Sequence, residues 1–162
     1  MRRTSFQGIN CSVAQTLEVV GEWWTMLIIR DAFLGVTRFD RFHERLGISR
    51  NILTDRLDNL VEHGVLERQP YQENPVRYDY TLTEKGQDLW LVLTAMRQWG
   101  DKWEAPDGAP VVLSHDSCGH LSEVVPTCSH CGETIVWGSR QVLPGPGATR
   151  GPAPLPVAAE GS

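Results

Sequence analysis

The chain has 162 residues, 41% of them hydrophobic, which is enough for one ordinary core and a small appendage but not for two full domains. No apolar run approaches the about 20 residues of a membrane helix, and the basic start MRRTSFQGINC has no apolar stretch behind it, so no spanning segment and no signal peptide are expected, and the protein should be cytoplasmic. The net charge of -5 is unevenly spread, with 12 basic against 13 acidic residues over 1–100 and 3 against 7 over 101–162, so any nucleic-acid surface must be a local basic patch.

In chain order, residues 1–10 read as an N-terminal arm. Ser12 and Gln15 have capping-box spacing, and Val13, Leu17, Val20, Trp24, Leu27 and Ile28 recur at three- and four-residue steps, predicting an amphipathic helix over 13–34 that Gly35 stops. Thr37 and Asp40 mark a second start, and Phe39, Phe42 and Leu46 share one face before Gly47, predicting a helix over 38–46. Ser49 caps a third helix with Leu53, Leu57, Leu60 and Val61 as its buried stripe, ending at Gly64. Two helices joined by Gly47-Ile48-Ser49 make a helix-turn-helix.

The strand pattern that follows, 65–68 and then 76–82 with Gln72, Glu73, Asn74 and Pro75 between, reads as a β-hairpin. Directly after a helix-turn-helix, such a hairpin is a wing. A last helix over 84–103 places Leu89, Val92, Leu93, Met96, Trp99 and Trp103 on one side, with Trp90 off the stripe. The fold expected is therefore mainly α with a small β-hairpin, a winged helix-turn-helix, with a zinc-ribbon-like C-terminal extension.

The segment 21–24, the pair Arg38-Phe39, the turn Gly47-Ile48-Ser49, the Leu-x-x-Arg-Leu pattern at 53–57, the wing strand 75–80 and the helix start Leu82-Thr83-x-x-Gly86 together resemble the HxlR-type family of winged-helix transcription regulators. The resemblance covers 11–104. It implies a homodimer held by the first and last helices, binding a pseudo-palindromic site near a promoter and usually repressing.

The residues of the third helix agree with a DNA partner. Arg50, Asn51, Thr54 and Asp55 lie off its apolar stripe, with Ser49 at the cap. Arginine can pair bidentately with guanine and asparagine with adenine, and a capped N-terminus offers amide N–H groups to phosphate. Arg56 is more lateral and suits a phosphate or a neighbouring acid. Asn74 and Arg77 in the wing are candidates for phosphate or minor-groove contact, with a structural ion pair the alternative for Arg77.

Cys11 precedes the first helix, where the helix dipole and the nearby Arg2 and Arg3 would favour the reactive thiolate. Regulators of the resembled family with a cysteine at the matching position sense electrophiles or oxidants, so a small electrophile or other effector is a further expected partner; a small residue packing at a helix start is the plainer reading.

Beyond 104 the chain changes character. His115-x-x-Cys118-Gly119 and Cys128-x-x-Cys131-Gly132 are knuckle-like units, and four ligands of these types would close a tetrahedral Zn2+ site, with His120 an alternative to His115. Residues 105–140 form this expected extension, and 141–162, rich in Pro, Gly and Ala without periodicity, an expected disordered tail. His120-x-x-Glu123 before Cys128-x-x-Cys131 departs from the deaminase signature by one residue and leaves no room for a substrate pocket, so no enzyme is expected. The alternative to a DNA-binding regulator is a protein-interaction module with the winged helix as scaffold and the knuckle as docking surface.

Overall fold

In the computed structural model of the chain, which describes residues 5–148, the stretch expected as one helix over 13–34 is two, α1 (Ser12–Val20) and α2 (Trp23–Phe33). Gly21 ends α1 by donating its N–H to the Leu17 carbonyl at 2.9 Å, and a Cβ at this position would meet that same carbonyl. Glu22 then takes an extended conformation as the N-cap of α2. Of the apolar spacing that runs through the break, Val20 of α1 and Met26, Ile28 and Ile29 of α2 reach the core, while Val13 and Leu17 of α1 stay exposed.

Two expected caps are replaced. Cys11, not Ser12, occupies the N-cap of α1, with no side-chain capping bond, and Gln15 instead donates its amide Nε2 to the carbonyls of Phe6 and Ile9 at 3.0 and 2.8 Å. Likewise α3 (Phe39–Leu46) starts from Arg38 without a side-chain cap, because the Thr37 hydroxyl donates to Asp79 Oδ1 across 2.9 Å. In both cases a tertiary partner outcompetes the local one.

The helix-turn-helix forms as its residues suggest. Gly47 ends α3 in the left-handed conformation, φ 64°, which glycine adopts without the steric cost of a Cβ. Ile48 is buried. Ser49 Oγ accepts the Ile52 N–H at 3.3 Å and starts α4 (Arg50–Glu62), satisfying one of the orphan donors of the first turn. Leu53, Leu57 and Leu60 are fully buried with Phe42, Ile28 and Ile29, so α2, α3 and α4 share one core.

The hairpin pairs β1 (Leu66–Glu73) with β2 (Val76–Leu82) antiparallel, from Leu66 opposite Leu82 to Glu73 opposite Val76, with an irregularity between Pro70 and Gln72 that leaves Tyr71 unpaired. The first strand runs past 68 because backbone pairing to β2, not alternation of its side chains, carries it into solvent. At the base of the wing the Tyr80 N–H donates to the Thr37 carbonyl at 2.7 Å. A short helix α5 (Glu84–Gln87) and then α6 (Leu89–Trp103) follow, separated by Asp88, whose backbone stays helical.

The chain divides into two compact units, Met1–Val112 and Leu113–Ser162. The second carries two β-bridges, Ser114 with Leu121 and Thr127 with Thr134. Of the expected tail, 149–162 lie outside the described residues, as do Arg2 and Arg3. Among the described residues no helix is long and apolar enough to cross a membrane.

Candidate nucleic-acid interface

The N-terminal half of α4 presents Arg50, Asn51, Thr54 and Asp55 to solvent, with Ser49 exposed at the cap. The apolar stripe behind them pins the helix, so these side chains project from a rigid element. Arg50 reaches back to α3: its Nη2 lies 3.0 Å from Asp40 Oδ1, and its guanidinium carbon stands 5.4 Å from the centre of the Phe39 ring. From the wing, Arg77 Nη1 approaches the other oxygen of Asp40 at 3.6 Å. Asp40 thus joins the recognition helix and the wing, and a shallow concavity of about 340 Å³ lined by Phe39, Arg50, Tyr71 and Arg77 lies around it.

The remaining candidates are placed differently. Asn74 sits exposed at the tip of the wing, its carbonyl accepting from Gln72 Nε2 at 3.1 Å. Arg56 is half-buried and lies 3.7 Å from Glu22 at the start of α2. Two residues beyond the expected set join the surface. Arg38 holds the wing, with Nε 3.6 Å from Asp79 and its guanidinium 4.6 Å from the Tyr71 ring centre. Arg68 on β1 pairs with Asp58 of α4 at 3.3 Å and stacks on Tyr78. The Arg38-Phe39-Asp40 run was visible in the sequence, but what Asp40 bridges depends on a strand about 40 residues away.

Behind this face a buried charge fixes the two scaffold helices. Asp31, fully buried on α2, accepts from Arg30 Nε at 2.9 Å and from Arg45 Nε of α3 at 3.0 Å. The hydrogen bond to Asp31, and then its negative charge, hold the Arg45 guanidinium above its ordinary pKa. Burial raises the Tyr80 phenol at the wing base, and the Asp58 carboxylate adds to this.

Cys11 is exposed at the positive end of α1, its N–H donating to the Ile9 carbonyl at 2.8 Å. In the second unit the candidate ligands come together in pairs. Cys118 Sγ lies 3.5 Å from His115 Nδ1, and Cys128 receives the backbone N–H groups of Cys131 and His130, which together with the Cys131 thiol hold its pKa below the ordinary thiol value. Among the described residues no group of three or more His, Cys, Asp or Glu side chains stands close enough to hold one metal ion. His120 Nδ1 is engaged with the Cys118 carbonyl at 2.9 Å.

Exposed apolar residues collect elsewhere on the first unit. Val13 and Leu17 of α1, Trp23 of α2, and Val92, Met96, Trp99 and Trp103 of α6 are exposed, whereas Leu89 and Leu93 of the expected α6 stripe pack against the core. A groove of about 570 Å³ runs between α1 and α6, lined by Val13, Leu17, Val20, Met26, Val92 and Met96.

Comparison with known proteins places this geometry. A family model of the HxlR-like helix-turn-helix matches residues 19–107. The chain is 46% identical over 137 residues to an uncharacterised HTH-type transcriptional regulator of Mycobacterium tuberculosis, covering 84% of this chain and 85% of that one. That alignment is longer than the first unit and so runs into the second. The crystal structure of PA1607, described as a candidate transcription factor, matches with a TM-score of 0.76 at 40% identity, over 86% of this chain and 99% of that one. The redox regulator HypR in its oxidised form matches with a TM-score of 0.52 at 31% identity, over 57% of this chain and 96% of its own. With the family match spanning the helices, the turn and the wing, the chain belongs to the HxlR-like helix-turn-helix family of DNA-binding transcription regulators and is not an enzyme.

Proposed function

We propose that the protein is a cytoplasmic homodimeric repressor that reads a pseudo-palindromic operator with α4 in the major groove and the wing against the flanking backbone. The observation that carries this reading is the exposed set Arg50, Asn51, Thr54 and Asp55 on a capped helix, with Arg77 of the wing directed to the same place. Arg50 and Asn51 are suited to base edges; Ser49, Asn74 and Arg77 are suited to phosphates, which position without specifying. A face this polar speaks against the interaction-module alternative, since the centre of a protein interface is depleted of charge. The exposed apolar residues of α1 and α6 support the dimer. Exposure of Cys11 at a helix N-terminus, and similarity to a redox regulator, support a response to electrophiles or oxidants.

Selection from a randomised duplex library tests the reading without presupposing an operator sequence. Enrichment of an inverted repeat with half-site centres about one turn, ~34 Å, or a multiple of it apart is expected; failure to enrich any sequence over a scrambled duplex would overturn it. On the enriched site, Arg50→Ala should weaken binding by roughly 1–3 kcal/mol and relax specificity at one position, with an unchanged circular dichroism spectrum. Unaltered discrimination would remove Arg50 from the reading residues.

A further inference from the structure

The second unit is small, and among its described residues, 113–148, no side chain is buried; Leu113, Val124 and Cys128 are half-buried and the rest exposed. A unit this small with so little burial among its described residues commonly relies on a staple, a disulfide or a metal. Its backbone nevertheless repeats one construction twice, at an offset of 13 residues. The His115 N–H donates to the His120 carbonyl at 2.9 Å, and the Cys128 N–H to the Glu133 carbonyl at 2.8 Å. Gly119 donates to the His115 carbonyl at 2.7 Å, and Gly132 to the Cys128 carbonyl at 2.9 Å. Ser122 donates to Leu113, and Ile135 to Pro126, both at 2.9 Å. The two glycines are left-handed, φ 70° and 75°, where a side chain would be strained.

This register equates His115 with Cys128, Cys118 with Cys131, and His120 with Glu133. Each hairpin therefore offers two donors at the same two places in the same turn. We propose that His115, Cys118, Cys128 and Cys131 bind one zinc ion tetrahedrally, two ligands from each hairpin, and that the ion is the staple of this unit. Three thiolates and an imidazole are a soft, four-coordinate donor set of the kind that selects zinc. The ligand pairs are built separately by their turns, and the ion is what draws pair to pair. Register sets His120 at the place of Glu133, outside the two ligand places of the turn, and its Nδ1 meets the Cys118 carbonyl at 2.9 Å. With all four positions filled by the protein, no site remains for a bound water, so the ion is structural.

The test uses the full chain. Elemental analysis of protein purified without chelator should give one zinc per chain. An Ellman titration should then find Cys11 reactive and the other three cysteines protected until a chelator is added. Cobalt substitution should produce the intense visible bands of a tetrahedral thiolate site, altered by His115→Ala and unchanged by His120→Ala. Absence of stoichiometric zinc, equal reactivity of all four thiols, or an octahedral cobalt spectrum would overturn the site. A spectrum that responds to His120→Ala and not to His115→Ala would overturn the ligand assignment.

Discussion

Asp40 holds both arginines on which the operator reading rests, Arg50 at 3.0 Å and Arg77 at 3.6 Å. All three side chains are at least half exposed, so ion pairs of this kind contribute little to stability, about 0–1 kcal/mol. The consequence lies in binding: the carboxylate presets the direction of two guanidinium groups and also repels phosphate. Asp40→Asn should therefore raise affinity for a scrambled duplex several-fold at fixed salt and narrow the gap between operator and scrambled DNA, with the urea midpoint nearly unchanged. Anisotropy titrations on both duplexes check this, and an unchanged affinity for scrambled DNA would show that Asp40 does not restrain the arginines. Cys11 poses a separate question at the same scale. Diamide should release DNA from the wild-type protein and not from Cys11→Ser; equal release from both would assign the response to other thiols.

At the level of elements, two features of the sequence acquire their physical cause. The Leu82-Thr83-x-x-Gly86 start works twice over, since Thr83 Oγ1 accepts the Gly86 N–H at 3.1 Å and donates to the Gly64 carbonyl at 2.6 Å. Gly86 is required because a Cβ there would run into the Val65 carbonyl. Helix α5 is thereby fastened to the root of the wing. The α6 stripe, by contrast, divides: Leu89 and Leu93 face the core, while Val92, Met96, Trp99 and Trp103 are left exposed, Val92 and Met96 lining the groove with α1. Periodicity alone cannot separate these uses, because an apolar stripe looks the same whether it packs within one chain or between two. If this face joins two copies, Met96→Glu places a charge in an apolar interface, where desolvation disfavours it. Sedimentation should then find monomer at concentrations where the wild type is a dimer, together with a loss of cooperative operator binding; an unchanged mass would mean that another surface joins the copies.

Across the molecule, the near-neutral charge over the first hundred residues is arranged as ion pairs between elements. Arg38, Arg50, Arg68 and Arg77 lie at the wing and α3–α4, each against Asp79, Asp40 or Asp58, while Asp31 is buried between Arg30 and Arg45 on α2 and α3. Much of this architecture is legible in the chain itself. Gly47, Ile48 and Ser49 announce the turn, the leucines of α4 its buried face, and the alternation of 76–82 the wing, because caps, left-handed glycines and apolar periods act within a few residues. The spacing of His115, Cys118, Cys128 and Cys131 is likewise plain. Tertiary structure alone decided the diversion of Thr37 and Gln15 from their expected caps and the bridging of two arginines by Asp40. Each depends on groups brought together from separate turns or strands, and a hydrogen bond or ion pair is set by distance in space, which local sequence does not encode.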